Sequence, residues 1–177
     1  MVGRVATQSD CANCAALCCI AYPSDDMPGF SAQKQSGEPC PKLDSCGACT
    51  IYDDRERLGF AGCIAFECFG AGQFVTRSVL AGGTDPGHPV TRQAMVDRFL
   101  RLRPAFDLLY LAQRLGNARL SRKDESDRAS LVQLIEDALL NADPSDVERI
   151  LPAAKIQLRE LYSVQNTEKR DEFLNSH

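Results

Sequence analysis

All nine cysteines of this 177-residue chain lie within its first 68 positions, and the 109 that follow contain none. A buried structural cysteine packs like any small hydrophobe and would be scattered through whatever core exists. A chain so polarised is built around thiol chemistry in its first part and around something else in its second. The thiols run Cys11-x2-Cys14-x3-Cys18-Cys19, then Cys40, Cys46-x2-Cys49, Cys63 and Cys68.

What these thiols do depends on whether they stay reduced. The opening residues show neither the apolar core nor the small-residue cleavage pattern of a secretory signal. No apolar run approaches the roughly 20 residues that cross a bilayer. The expected setting is cytoplasmic, where clustered thiols bind metal or do redox work instead of pairing. An odd count leaves one thiol over in any disulfide scheme, and the adjacent Cys18-Cys19 crowds such a scheme further.

Composition excludes several classes of function. A net charge of −4 and a pI near 5.2 give no electrostatic footprint for nucleic acid or an anionic membrane. Residues 1–86 carry six basic and ten acidic side chains, so bound cations would offset the charge of the cysteine part. The same stretch holds ten of the twelve glycines, which implies turns in place of long regular elements. Its core is small for its length, and in a reducing compartment the expected staple is a metal. Within it, Cys49–Tyr52 and Gly62–Phe66 read as short strands or loop anchors.

Past the Gly/Pro-rich boundary Ala81–Pro89 the pattern becomes helical. From Thr91, the residues Met95, Val96, Phe99, Leu102, Phe106, Leu109, Tyr110 and Leu115 follow three-or-four spacing, with Pro104 expected to kink or break the helix. A second stripe comprises Leu131, Leu134, Ile135, Ala138 and Leu139. Asp143-Pro144 reads as an N-cap followed by proline at the first helical position. A third stripe runs through Val147, Ile150, Leu151, Ala154, Leu158, Leu161 and Tyr162, and the polar tail from Gln165 is expected to fray. The expected fold is mainly α: an irregular, metal-stapled cysteine-rich region over 1–86, and a bundle of about three amphipathic helices over 87–177.

Spacing alone points to a polythiolate metal site and leaves the metal open. Cys11-x2-Cys14 and Cys46-x2-Cys49 have the form of zinc knuckles, but 31 residues separate them, longer than a ribbon spacing. Iron–sulfur clusters also take Cys thiolates, usually four, yet Cys11-x2-Cys14-x3-Cys18 is not the bacterial ferredoxin run. Soft thiolates suit Cu(I) as well, although methionine is scarce. The segment Phe69-Gly70-Ala71-Gly72-Gln73 allows two readings. One is a close backbone approach to a ligand, with Gly70, Gly72 and Gln73 binding a cofactor; the other is a tight turn after the last ligand. With no histidine among the cysteines, a Cys–His nucleophile pair is not expected.

The ordered motifs Cys11-Ala-Asn-Cys14-Ala-Ala-Leu-Cys18-Cys19, Pro39-Cys40-Pro-Lys-Leu43, Cys49-Thr-Ile-Tyr52 with Arg55, and Cys63-Ile-Ala-Phe66 resemble the bacterial C-x-x-C-x-x-C-C cysteine-cluster family, a zinc- or iron-chelating domain. The continuation Leu58-Gly-Phe-Ala-Gly-Cys63-Ile-Ala-Phe-Glu-Cys68-Phe-Gly-Ala-Gly-Gln73 is similar to the N-terminal segment of actinobacterial pentapeptide-repeat proteins, here with no repeat array behind it. The first motif departs from the family by one extra residue before Cys18-Cys19. The resemblance implies a metal-ligand set of Cys11, Cys14, Cys18, Cys19, Cys40, Cys49, Cys63 and Cys68, and leaves Cys46 outside it. Eight ligands suggest two four-thiolate sites, or one cluster plus a second metal.

Part of the wider family is similar to flagellin lysine methylases, which implies an iron–sulfur occupant, [4Fe-4S], with zinc as the alternative. The functional expectation is a cytoplasmic metal-cluster protein. It takes one of two forms: a carrier, sensor or docking module for a protein partner, or an oxidoreductase, lyase or transferase with an iron open to a small-molecule substrate. The alternative is a zinc-binding structural protein without catalysis.

Overall fold

A computed structural model describes residues 4–24, 29–30, 34–85, 87–116, 120–141 and 143–175, with side chains to residue 165. The fold is mainly α. Its helices are α1 (Leu17–Ala21), α2 (Ala61–Ala65), α3 (Ala71–Leu80), α4 (Pro89–Leu115), α5 (Arg122–Leu140) and α6 (Pro144–Asn175), preceded by a 3-10 turn at Cys11–Asn13. Among the described residues, β-pairing is limited to one antiparallel bridge between Leu43 and Cys49. No helix in them is long and apolar enough to cross a membrane.

Two units are distinguished by their internal packing: Gln8–Arg103, and Met1–Thr7 together with Pro104–His177. The sequence places the division near residue 86. In the structure it falls inside α4, because the first half of that helix belongs with the cysteines. Tyr22 meets both Phe66 (5.3 Å between ring centroids) and Phe99 of α4 (5.9 Å), and the Arg103 guanidinium lies 5.5 Å from the Phe66 ring and 5.4 Å from that of Phe69. Pro104 sits within α4 without ending it.

The cysteine unit has a small apolar core of Leu17, Ile20, Ala21, Phe60, Ala71, Val75, Met95, Val96, Phe99 and Leu102. Of the two pieces that read as strands or anchors, 62–66 is largely helix α2 and 49–52 is turn carrying the single bridge. The ten-residue α3 was not legible as a helix, since Gly70 and Gly72 mask its start. Gly70 adopts φ +89°, a left-handed conformation that glycine reaches without steric cost, and this lets the chain turn from Cys68 straight into α3.

The other unit buries Phe106, Leu109, Ala112, Leu115, Leu131, Ile135, Ala138, Leu139, Val147, Ala154, Leu158 and Leu161, close to the three expected stripes, with α5 packed on α6. The cap expected at Asp143 accepts from the Ser145 amide at 2.8 Å beside Pro144, and α5 has a further cap in Ser121, which accepts from the Asp124 amide at 3.2 Å. Two expectations fail. Leu134 is 43% exposed while Glu136 is buried, and the helix continues past Gln165 to Asn175. Glu136 is buried because it is used: it accepts from the Val5 amide at 3.2 Å and from Arg4 Nε at 3.3 Å, fixing the N-terminal segment to α5.

Candidate metal centre

Every cysteine belongs to the unit Gln8–Arg103, and all nine are free thiols. Cys11 and Cys46 are exposed, and the other seven are half-buried. Four chain segments carry the eight candidate ligands. The 3-10 turn and α1 bring Cys11, Cys14, Cys18 and Cys19. A turn and its bridge partner bring Cys40 and Cys49. Helix α2 brings Cys63, and the residue two before Gly70 is Cys68.

The local folding of each segment is explicable. The Cys14 amide donates to Cys11 O at 3.3 Å, closing the first Cys-x2-Cys turn. Ala16 then takes φ +54°, unusual for a residue with a β-carbon, and this reverses the chain into α1. Helix α1 is short, and its free carbonyl end is met by the buried Lys34 ammonium. That group donates to Ile20 O at 3.0 Å and also to Tyr22 O, a cation placed where the helix dipole and orphan carbonyls favour one. The Cys40 amide donates to Cys19 O at 3.0 Å, which ties the second segment to the first. Leu43 N donates to Cys40 O at 3.0 Å and Leu43 pairs with Cys49, so Cys40 and Cys49 share one hairpin-like turn.

Helix α3 is the platform for the first segment. Thr76 Oγ accepts from the Ala15 amide at 3.0 Å and donates to Gly72 O at 2.9 Å. Both ends of the Gln73 amide are taken by backbone, Nε2 donating to Gln8 O at 2.7 Å and the oxygen accepting from Asp10 N at 3.3 Å. Gln73, expected as a cofactor contact, therefore positions the loop that carries Cys11. Gly70 serves the turn. Gly72 faces two thiols: a β-carbon there would lie 2.6 Å from Cys14 Sγ and 3.7 Å from Cys68 Sγ. Only a bare α-carbon allows the Cys14 sulfur that close to α3, while Cys68 Sγ would meet a β-carbon there in ordinary contact.

The electrostatics are those of crowded sulfur. Burial pushes the Cys14 and Cys11 thiols up, with neighbouring thiols adding to it. Burial pushes Cys63 up to about 11, with Cys19, Cys40 and Cys49 contributing in the same direction. Cys18 and Cys19 share a proton contact at 3.8 Å. That contact holds Cys18 strongly protonated and, helped by Lys34 and Arg55, lowers Cys19 to about 7. Arg55 is held by its own backbone contact, Nε to Tyr52 O at 2.7 Å, and its guanidinium lies 3.7 Å from the Tyr52 ring centroid. The positive charge it brings lowers Cys11, Cys19 and Cys63 alike, which is the charge compensation a polythiolate site needs.

The donor set suits a thiophilic metal or an iron–sulfur cluster: reduced sulfur, with cations nearby and a glycine cleared beneath the Cys14 sulfur. Among the described residues, no three His, Cys, Asp or Glu side chains stand together in a geometry that already holds one ion. Cys46 lies apart in an exposed turn, its amide donating to Asp44 Oδ1 at 2.8 Å. His88, also outside the cysteine segments, accepts from the Val90 amide at its Nδ1 (3.3 Å). The residues that sequence reasoning missed are Lys34, Thr76 and Ser9. Ser9 stands between Glu67 and Cys68, its hydroxyl 3.0 Å from Cys68 Sγ and donating to the Glu67 carboxylate. No sequence signal distinguishes these three from ordinary surface residues.

No family model matches the chain, and no solved structure matches it. It is similar to the uncharacterized protein YybG of Bacillus subtilis (strain 168), 32% identical over 128 residues, which is 72% of this chain and 46% of the relative. The chain thus spans about half the length of that relative.

Proposed function

We propose that this chain is a metal-binding protein whose cysteine thiolates hold an iron–sulfur cluster of the [4Fe-4S] type in the unit Gln8–Arg103. The observation that most supports it is the approach of Cys14 and Cys68 to Gly72. The Cys14 thiol approaches so closely that only a bare α-carbon admits it, and Cys68, from a distant segment, lies in ordinary contact distance of the same point. Cys11, Cys14, Cys18, Cys19, Cys40, Cys49, Cys63 and Cys68 would hold the metal. Arg55 and Lys34 compensate thiolate charge, while Gln73 and Thr76 fix the Cys11–Cys18 loop. A cluster bound with one iron open to a small-molecule substrate supplies redox or Lewis-acid chemistry, which would make the chain an oxidoreductase, lyase or transferase; fully ligated, it serves a carrier or sensor.

Zinc in a structural, non-catalytic role is the second reading. The 3.8 Å between the Cys18 and Cys19 sulfurs favours it, being about the edge of a tetrahedron with Zn–S bonds of about 2.3 Å. Anaerobic purification separates the two. A brown protein with a broad visible charge-transfer band and bound iron and sulfide supports the cluster, and a colourless zinc-loaded protein replaces it with the structural reading. A chain that takes up neither metal overturns both.

A further inference from the structure

We infer that Arg103, on α4, is a positioning residue of the metal centre: it holds the turn at Phe69 in the left-handed conformation that presents the Cys68 thiol. The inference rests on the metal-binding reading and deepens it.

Backbone strain marks the place. Among the described residues, the non-glycine residues with positive φ are Ala16 at +54° and Phe69 at +49°. A β-carbon crowds the backbone in that region, and the conformation persists only where surrounding contacts hold it. Both residues belong to ligand segments, Ala16 between Cys14 and Cys18, and Phe69 directly after Cys68. Phe69 is the bulkier of the two. Gly70 continues its left-handed turn at φ +89° into α3.

The segment around Phe69 is held from two sides. Locally, the Phe69 amide donates to the Glu67 carboxylate at 2.9 Å. The same carboxylate accepts from the Ser9 hydroxyl, whose oxygen lies 3.0 Å from Cys68 Sγ. From α4, Arg103 Nη2 donates to Glu67 O, and the guanidinium lies 5.4 Å from the Phe69 ring centroid and 5.5 Å from that of Phe66, in cation–π range of both. One cation thus grips the chain on either side of Cys68.

The grip is itself anchored. Phe66 packs on Tyr22, and Tyr22 on Phe99. Phe99 and Arg103 stand four residues apart on α4 and so share one face of that helix. A planar guanidinium can face two rings and a carbonyl together, which a lysine ammonium does not reproduce. Without this hold Phe69 would relax to negative φ and redirect the chain after Cys68. The thiol would then leave Ser9 and the ordinary contact distance it keeps from Gly72.

The test follows alkylation of Cys68 by N-ethylmaleimide in the intact reduced chain, mapped by mass spectrometry at one pH. The chain is used metal-free and after anaerobic loading with Cd(II), and the half-buried Cys40 and Cys49 serve as internal references. In Arg103→Gln, metal-free Cys68 should react about fivefold faster or more, and its protection by Cd(II) should be lost, while the references keep their wild-type rates. Loss of a cation alone would favour the protonated thiol and slow the reaction, so acceleration reports release of the turn. Arg103→Lys should resemble Arg103→Gln. Adding Phe69→Gly to Arg103→Gln should return Cys68 toward its wild-type rate, because glycine reaches positive φ unaided. An unchanged Cys68 in Arg103→Gln, equal acceleration of the references, a wild-type Arg103→Lys, or no recovery with Phe69→Gly overturns the inference. Should Arg103→Gln not fold, Phe69→Leu and Phe69→Gly decide. Both lose the ring but only leucine keeps the strain, so Cys68 should be released in the leucine variant alone, and equal rates overturn the inference. Absence of any Cd(II) protection in the wild-type chain overturns the metal-binding reading, while the metal-free rates still decide whether Arg103 places Cys68.

Discussion

The Sγ of Cys14 lies 2.6 Å from where a β-carbon on Gly72 would stand, closer than any side chain tolerates. The partner atom is the terminal sulfur of Cys14, whose single rotatable side-chain bond lets it give way only by leaving its present position. Gly72→Ala should therefore displace Cys14, lowering bound metal per chain and destabilising the cysteine unit by about 1–3 kcal/mol. Gly82→Ala is the control, because the nearest atom to its β-carbon would be Val79 O at 3.7 Å, an ordinary contact. Thermal unfolding and metal analysis of the two variants side by side check this; equal effects would show that the close approach is not what matters.

Cys46 and Cys49 form a Cys-x2-Cys pair that sequence alone presents as a knuckle. Only Cys49 pairs with Leu43 and adds to the electrostatics of Cys63, while Cys46 stays exposed. Cys46→Ser should leave metal content unchanged, and Cys49→Ser should lower it or make the chain insoluble. Elemental analysis of the purified variants decides the matter, and equal sensitivity would restore the knuckle.

The helical stripes were legible because periodicity survives translation into packing: Leu131, Ile135, Leu139, Val147, Leu158 and Leu161 are all buried. Glu136 broke the pattern since a carboxylate on the apolar edge of a stripe gives no sign of the amide it will accept, that of Val5 far away in sequence. Helix α3 was hidden because its first residues are small and glycine-rich, a composition that reads locally as a turn. That the cysteines share one unit was legible from their crowding in sequence. Which segments touch was not, because that depends on backbone contacts such as Cys40 N to Cys19 O, which no spacing encodes.

Glu136 offers a test of the other unit. Its carboxylate is buried and accepts from the Val5 amide and Arg4 Nε. Glu136→Ala removes the acceptor and leaves a buried N–H unpaired, a cost of about 1–3 kcal/mol. Glu136→Gln keeps an oxygen for Val5 and should recover much of that loss. Because Arg4 is exposed, Arg4→Gln should change stability much less than Glu136→Ala. Denaturant midpoints of the three variants give the order; an Arg4 variant as damaged as the alanine variant would place the contribution in the ion pair.

Thiol reactivity should sort by pH in the reduced, metal-free chain where the fold persists. Cys19 is lowered to about 7, first by its contact with Cys18 and then by Lys34 and Arg55, whereas burial takes Cys63 up to about 11. Cys19 should gain alkylation rate through neutral pH while Cys63 stays slow until strongly alkaline conditions. The linkage has opposite signs at the two sites. Between about pH 7 and 9 the unfolded chain binds more protons at Cys19 than the folded one, so that contribution to stability grows with pH and is lost as pH falls through 7. Above about pH 9 the unfolded chain gives up the Cys63 proton first, so its contribution falls as pH rises toward 11. Lys34→Met should move the Cys19 profile to higher pH; an unmoved profile would remove Lys34 from the site.

Metal removal should act on one unit and spare the other. The Gln8–Arg103 unit joins its cysteine segments through turns, two five-residue helices and a single bridge, with a modest apolar core. A metal bound only by the folded arrangement contributes its binding free energy to folding, so stripping it should release these segments. Helices α5 and α6 have their own buried stripe, the Ser121 and Asp143 caps and the Gln157 amide donating to Asp127 O at 3.3 Å, and they contain no thiol. After anaerobic chelation, hydrogen exchange should therefore rise across residues 11–68 and stay slow at Leu131–Leu139 and Ala154–Leu161. Unchanged protection around the cysteines would mean that the turns hold themselves and that the metal is cargo on a finished scaffold.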